Sequence, residues 1–195
     1  MWYSIIMSKQ ILIIKGSPRR HGNTSAMADA FAQGARESGN TITEIALMDK
    51  TIGDCVGCAV CQENGGSCIQ KDDMTEIYQA MNKADVIVLA CPVYFYTWTS
   101  LMKRMIDRTF EIEHALRNKT FYLLSAGAAS EANYVQTMVD SFRQYIACFG
   151  EAGGKEGGIF FAFGTRKPSD VDKMPVLEEV YEAGKRIERN EVKRC

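Results

Sequence analysis

Short apolar runs alternate with longer amphipathic stretches along almost the whole chain. The runs have the length of strands, and each is followed by a stretch in which apolar residues recur with helical spacing. The predicted strands cover residues 11–15, 41–47, 85–90, 120–124 and 159–163, and the predicted helices cover residues 24–38, 74–81, 98–106, 135–149 and 177–187. Strands that are each followed by a helix predict an α/β fold, a doubly wound five-stranded parallel sheet with helices on both faces.

The third predicted strand and the helix before it carry the clearest local signals. Residues 86–90 read Val-Ile-Val-Leu-Ala, an uninterrupted apolar run that is typical of a strand buried on both faces. Asp73 and Glu76 have the spacing of a capping box at the start of the second helix. In a doubly wound sheet the ligand site lies at the carboxyl ends of the strands, so the loops that follow the strands are the candidate site.

The composition excludes several classes of protein. A net charge of −1 over 195 residues argues against nucleic-acid binding and against a polybasic membrane-surface role. We find no apolar run of membrane-spanning length and no convincing secretory signal, so a cytoplasmic protein is expected. No linker or repeat interrupts the alternation, which predicts a single domain over residues 1–195. Residues 1–8 are interpreted as an optional extension, and the true start residue is Met1 or Met7.

The loop after the first strand, residues 16–25, has the composition of a phosphate site. Gly16 permits a tight turn and a close backbone approach, and the loop runs directly into a helix start. The side chains that could donate to phosphate oxygens are those of Ser17, Arg19, Asn23, Thr24 and Ser25. The loop matches neither the Walker pattern nor the dinucleotide fingerprint. A polar turn with Asn23 or Thr24 as the helix cap is the alternative interpretation.

Two further loops follow the third and fourth strands. Residues 91–100 combine a stiffening proline with several aromatic rings, which could stack on a planar heterocycle or belong to the core or a subunit interface. Residues 125–130 are small, so their backbone could approach a ligand closely, or they could form a plain connection between strand and helix.

Together the three loops resemble the flavodoxin-like NAD(P)H-dependent FMN reductase family. The resemblance covers about residues 9–165 and rests on three motifs, Gly16-Ser-Pro-Arg-x-x-Gly22-Asn-Thr, Pro92-Val-Tyr94, and Lys103 with Asp107-Arg108. It implies a flavodoxin-like fold. It also implies a homodimer or homotetramer, with the Lys103 and Asp107-Arg108 stretch near the subunit contact in a structural role.

The same resemblance assigns a role to each loop. The first would hold the FMN phosphate with Ser17, Arg19, Asn23, Thr24 and Ser25. The second would lie against the isoalloxazine with Pro92, Val93, Tyr94 and Phe95. The third would contact the pyrimidine side of the ring with Ser125, Ala126 and Gly127.

Four of the seven cysteines fall in a cysteine-rich loop insertion at residues 55–68, as Cys55, Cys58, Cys61 and Cys68. Thiolates this compact can surround a [4Fe–4S] cluster, and the spacing resembles the iron–sulfur flavoprotein branch of the same family. Free thiols, or thiols that line a substrate pocket in a protein with FMN alone, are the alternative. The other three cysteines are interpreted as a small buried residue, a core helix residue and a tail thiol, at Cys91, Cys148 and Cys195.

The resemblance implies an FMN-dependent oxidoreductase. It would take electrons from NAD(P)H or ferredoxin and pass them to a small-molecule or protein acceptor. No catalytic acid or base stands out, as expected where the flavin supplies the chemistry. A non-enzymatic flavin and iron–sulfur electron carrier is the alternative, although such carriers tend to be more acidic than this chain. A zinc or thiol sensor on the same scaffold is a third hypothesis.

Overall fold

The structure is a computed structural model, and it describes residues 3–63, 65, 67–150, 153–188 and 190–194. In these residues the strands are β1 (Tyr3–Met7), β2 (Gln10–Lys15), β3 (Thr41–Ala46), β4 (Val86–Pro92), β5 (Lys119–Ala126), β6 (Gly154–Ala162) and β7 (Asn190–Arg194). The α-helices are α1 (Asn23–Glu37), α2 (Val60–Glu63), α3 (Met74–Lys83), α4 (Ser100–Arg108), α5 (Gln136–Ala147) and α6 (Val176–Lys185).

Strands β2 to β6 form one parallel sheet in the order β3-β2-β4-β5-β6. The chain first moves from β2 to one edge and then returns through β4 toward the other edge, so the strand order reverses between β2 and β4. This is the doubly wound, flavodoxin-like sheet that the sequence predicts. Its reversal point places the ends of β2 and β4 side by side, where ligands bind in folds of this type.

Alternation along each strand divides the core into two layers. Leu12 and Ile14 face the layer that also contains apolar residues of α3, α4 and α5. Ile11 and Ile13 face the opposite layer, which is filled from α1 and α6. All seven residues of β4 are buried or nearly so, in agreement with the apolar run at its centre. The sheet is therefore a rigid, doubly covered platform for the loops at its carboxyl edge.

Helices α1 and α6 touch through two glycines. A Cβ atom added at Gly34 would lie 2.1 Å from the carbonyl oxygen of Tyr181, and one added at Gly184 would lie 2.2 Å from that of Phe31. Real Cβ atoms do not approach backbone oxygens so closely. The two backbones can therefore pack at this distance only because neither position carries a side chain.

Several local predictions differ from the structure. Strand β6 begins five residues earlier than predicted, because its first half is glycine-rich and shows no apolar pattern. The capping box is wrong. The Asp73 carboxylate accepts from the Thr51 backbone N–H at 2.7 Å, and Asp72 instead accepts from the Met74 N–H at 3.1 Å. Strands β1 and β7 pair antiparallel in a separate two-stranded sheet, although neither is among the five predicted strands.

Candidate functional site

A cleft of about 300 Å³ opens at the carboxyl ends of β2, β4, β5 and β6. Nine of the twelve predicted cofactor-binding residues line it, namely Ser17, Arg19, Asn23, Thr24, Pro92, Val93, Tyr94, Ala126 and Gly127. Gly22, Ala128, Thr165 and Arg166 line it as well and are absent from the sequence-based set. The three predicted loops thus converge on one space, and a fourth loop joins them.

Two hydrogen bonds to the backbone of Gly16 hold the first loop against the sheet. The Gly16 N–H donates to the Ala90 carbonyl at 2.8 Å, and the Thr99 hydroxyl donates to the Gly16 carbonyl at 2.7 Å. A Cβ at Gly16 would lie 2.8 Å from the terminal methyl and 3.0 Å from the Cβ of Met102, so a side chain there would require Met102 to shift. The Ser17 hydroxyl accepts from the Arg19 N–H at 3.1 Å, which leaves its own proton available to a ligand.

Helix α1 begins at this cleft without a side-chain cap. Its N-cap residue is Gly22, which has no side chain that could accept a hydrogen bond from the backbone N–H groups of the first turn. The alternative interpretation, in which Asn23 or Thr24 caps the helix, is therefore wrong. The N-terminus of a helix carries partial positive charge and free N–H groups, and both favour an anion.

The side-chain amide of Asn23 forms two hydrogen bonds with the segment that follows β6. Its Nδ2 donates to the Lys167 carbonyl at 2.9 Å, and its Oδ1 accepts from the Val171 N–H at 3.3 Å. The loop after β6 is held in turn by Thr165, whose N–H donates to the Gly127 carbonyl at 2.9 Å. These bonds bring Arg166 to the cleft beside Arg19. The signal for Arg166 in the sequence is the Thr-Arg-Lys run after the fifth strand, a loop outside the three that the sequence predicts for the site.

Three predicted residues do not line the cleft. Ser25 and Ser125 are buried, and the Ser125 hydroxyl donates to the Cys91 carbonyl of the neighbouring strand at 2.6 Å. Phe95 is 97% exposed and follows Tyr94 in a tight turn. Phe95 and Tyr96 both have positive φ, 46° and 68°, a conformation that bulky residues rarely adopt. Phe95 instead lines an adjoining depression of about 500 Å³, which includes Tyr96, Tyr134 and the cleft residue Val93.

All four residues of the predicted cysteine motif line a second, smaller pocket of about 70 Å³. Cys55 and Cys58 are exposed, Cys61 and Cys68 are partly buried, and all four are free thiols. Burial, with a contribution from the nearby Cys68, raises the pKa of Cys61 above its usual value. Within the described residues, no three His, Cys, Asp or Glu side chains are close enough to hold one metal ion.

Arg108 lies beside this pocket with its side chain 1% exposed. Its guanidinium donates to Asp72 at 2.6 Å, to the Gly53 carbonyl at 2.9 Å and to the Cys68 sulfur at 3.5 Å. Its Nε is buried and has no hydrogen-bond partner among the described residues. The sequence predicts only a structural role near a subunit contact for this residue, whereas its partners here belong to the cysteine loop of its own chain.

The partners of Asp72 predict how stability depends on pH. Burial opposes the charged form, but Arg108 and the N–H groups of Gly53 and Met74 outweigh it and hold the pKa of Asp72 below its usual value. The charge therefore stabilises the fold above about pH 4, and this contribution is lost as pH falls further. We expect Asp72→Asn to lower the free energy of unfolding by about 1–3 kcal/mol at pH 7. The free energy of unfolding of this variant should also decrease less steeply as the pH falls below about 4. Urea unfolding at several pH values measures both effects.

Cys148 departs from its prediction as a core residue. It lies at the C-cap of α5 with an exposed side chain. Cys91 is fully buried, as predicted, and burial raises its pKa to about 11. Cys195 lies outside the described residues.

The sequence matches the model of a known family over residues 10–152, and that family is described as NADPH-dependent FMN reductase. The matched region covers well over half of the chain. This chain belongs to the NADPH-dependent FMN reductase family. The family confirms the predicted FMN-dependent oxidoreductase at this general level, while the electron donor and acceptor stay predictions.

Individual relatives agree with the predicted branch. An iron-sulfur flavoprotein of Methanosarcina thermophila is 30% identical over 177 residues, which cover 89% of this chain and 91% of the relative. One of Methanocaldococcus jannaschii is 34% identical over 66% of this chain and 67% of the relative. An iron-sulfur flavoprotein of Archaeoglobus fulgidus is 39% identical, but the chain spans only 46% of its length.

Solved structures confirm the fold. An NAD(P)H:quinone oxidoreductase of Methanothermobacter marburgensis superposes with a TM-score of 0.74 at 16% identity, over 91% of this chain and 95% of the other. An FMN-dependent NADH-azoreductase of Bacillus anthracis in complex with FMN reaches 0.70 at 18% identity, over 91% and 98%. Among the residues that the structure describes, no helix has the length and apolar character needed to cross a membrane.

Proposed function

We propose that this protein is an FMN-dependent oxidoreductase that takes electrons from NAD(P)H and passes them to a small-molecule or protein acceptor. The observation that carries the proposal is the convergence of Arg19, Arg166, a serine hydroxyl with an available proton and an uncapped helix N-terminus on one cleft. Two guanidinium groups and the helix dipole suit a phosphate dianion. Binding of FMN supplies the redox chemistry, which is hydride uptake and delivery of electrons singly or in pairs.

In this proposal the phosphate lies at the start of α1. Ser17, Arg19 and Thr24 face it, while Asn23 supports the loop that brings Arg166 to the same end of the cleft. Ser25 is buried in the first turn, so it would contribute through its backbone alone.

The isoalloxazine would extend from there along the ends of β4 and β5. Pro92, Val93 and Tyr94 would contact one side of it, and Ala126 and Gly127 would contact its pyrimidine edge. Phe95 and Ser125, which were expected in the same contacts, would act less directly. Phe95 extends the apolar surface next to the ring, and the Ser125 hydroxyl joins β5 to β4.

Replacement of Arg19 tests the phosphate site. Arg19→Ala removes a charged donor, and we expect FMN to bind about 10- to 100-fold more weakly, since hydrogen bonds to charged groups contribute roughly 1.5–3 kcal/mol. Binding of riboflavin, which lacks the phosphate, should not change. Arg20→Ala is the matched control, because Arg20 pairs with Asp49 at 2.6 Å and does not line the cleft. Equal losses in both variants would contradict the assignment.

We further propose that the four loop cysteines hold a [4Fe–4S] cluster, as the names of the relatives suggest. The support is that four thiols line one pocket next to a buried arginine. The sulfurs would have to move closer together, which residues 55–58 permit because they have no regular secondary structure. A cluster would supply one-electron transfer to or from the flavin.

Anaerobic addition of NADPH or NADH to the purified holoprotein tests the reductase. We expect the flavin absorbance to bleach with at least one nicotinamide. If both leave the flavin oxidised and reduced ferredoxin bleaches it, the protein is the alternative, an electron carrier. Iron and sulfide analysis decides whether the cluster is present.

Assembly and location stay proposals. The exposed aromatic surface formed by Phe95, Tyr96 and Tyr134 supports a homodimer or homotetramer, because exposed apolar patches mark contact surfaces. Light scattering measures the assembly.

We also propose a cytoplasmic protein with a single domain over residues 1–195, in which residues 55–68 form a loop insertion.

A further inference from the structure

The cysteine loop, which carries Cys55, Cys58, Cys61 and Cys68, is held at both ends by one side chain. It leaves the sheet layer at Gly53 and returns at Asp72, and Arg108 contacts both residues. Its Nη1 lies 2.9 Å from the Gly53 carbonyl oxygen and 2.6 Å from Asp72 Oδ2, and its Nη2 lies 3.3 Å from Asp72 Oδ1. The guanidinium therefore closes the loop at its base.

The position of this guanidinium is itself fixed by the core. Arg108 is the last residue of α4, a helix anchored by Met102 and Met105, which are fully buried. The Tyr78 hydroxyl of α3 donates to the Arg108 carbonyl at 2.8 Å. Two packed helices thus hold Arg108, and Arg108 holds a loop with little secondary structure.

The same side chain reaches a pocket thiol. Arg108 Nη2 lies 3.5 Å from Cys68 Sγ, and the Cys68 N–H donates to Glu111 at 2.9 Å. Cys68 is therefore held at both its sulfur and its backbone. A hydrogen bond from an N–H donor to a ligating thiolate favours the more negative, reduced state of a cluster. The carboxylates of Asp72 and Glu111 offset the charge of the guanidinium, so the hydrogen bond to the sulfur carries this effect.

We propose that Arg108 is a positioning residue that keeps the base of the cysteine loop closed and, through the hydrogen bond to Cys68, favours reduction of the cluster. The second half of this inference rests on the cluster proposed above, whereas the first half holds for the metal-free protein. A lysine cannot replace Arg108, because one ammonium group cannot reach the Gly53 carbonyl, both Asp72 oxygens and the sulfur together.

The test compares Arg108→Gln and Arg108→Lys with Arg104→Gln. Arg104 is the matched control, since it lies one turn earlier on α4 and pairs with Asp54 at 2.7 Å on the exposed rim of the loop. Each variant changes the same helix, and both glutamine variants remove one positive charge. Arg108→Lys keeps the charge and serves as the second variant if Arg108→Gln folds poorly.

The first readout is amide hydrogen exchange of Gly53 and Cys68 in metal-free protein, because their N–H groups donate to Asp72 and Glu111 at 2.9 Å and are therefore protected while the loop is closed. We expect roughly tenfold faster exchange in both Arg108 variants, because the hydrogen bonds that close the loop are lost. The Arg104 variant should match the wild type. Exchange that is unchanged in the Arg108 variants overturns the positioning role, whether or not a cluster binds.

The second readout is the midpoint potential of the cluster in anaerobic holoprotein, followed by electron paramagnetic resonance. We expect the equilibrium constant for its reduction to fall about tenfold in Arg108→Gln, which is about 59 mV for one electron, and less in Arg108→Lys. The FMN potential should not change. An unchanged cluster potential overturns the second half, and wild-type protein that takes up no iron overturns the proposed cluster together with that half, while the exchange measurement still decides the first.

Discussion

Cys61→Ala and Cys68→Ala should each abolish iron binding and leave FMN binding intact. Both thiols line the pocket formed by the four loop cysteines, and a [4Fe–4S] cluster that loses one of its four thiolate ligands is bound far less stably. The flavin cleft is built from other loops, so the ratio of FMN to protein should equal that of the wild type. Iron and sulfide analysis, together with the flavin absorbance of anaerobically purified protein, measures both quantities.

Cys148→Ala is the control for these variants. Cys148 is also an unpaired thiol, but it is exposed at the end of α5 and does not line the cysteine pocket. Its replacement should change neither iron nor FMN. Wild-type iron content in Cys61→Ala and Cys68→Ala would show that the motif does not ligate a cluster and would favour the interpretation of the loop as free thiols.

Gly34→Ala should cause the largest loss of stability, about 3 kcal/mol. The new methyl group would lie 2.1 Å from the Tyr181 carbonyl oxygen, so α1 and α6 would have to separate. The backbone of Tyr181 lies within a packed helix and cannot rotate out of this contact as a flexible side chain could. A urea unfolding curve should show a lower midpoint with an unchanged slope.

Gln33→Ala provides the control on the same helix. Gln33 is exposed, and its change to alanine favours the helix while losing only a hydrogen bond to Glu37 at 3.1 Å. We expect a change within about 0.5 kcal/mol. If Gly34→Ala were as mild as this control, the close contact between the two helix backbones would be wrong.

The sequence predicts the sheet well because its signals are local. The apolar run at residues 86–90 and the helical spacing of apolar residues report burial directly, and they give the strand and helix order. Strand β6 begins in residues that carry no such signal, so its start is misplaced. The pairing of β1 with β7 joins the two ends of the described chain, and no local pattern encodes so distant a partner.

The candidate site is only partly predictable for a related reason. Residue type shows that Ser17 and Ser125 can form hydrogen bonds, but tertiary packing decides that one lines the cleft and the other is turned toward Cys91. Arg166 reaches the cleft through contacts between its loop and Asn23, which lies more than a hundred residues earlier. Arg108 meets Asp72 and Cys68 in the same long-range way.

The affinities of FMN and riboflavin for flavin-free protein test the central claim most directly. The two ligands share the ring and the ribityl chain and differ only in the phosphate that we place at Ser17, Arg19 and the start of α1. Quenching of flavin fluorescence should show FMN bound about 100-fold more tightly than riboflavin, as two charged hydrogen bonds would produce. Equal affinities, or no binding of FMN, would contradict the account.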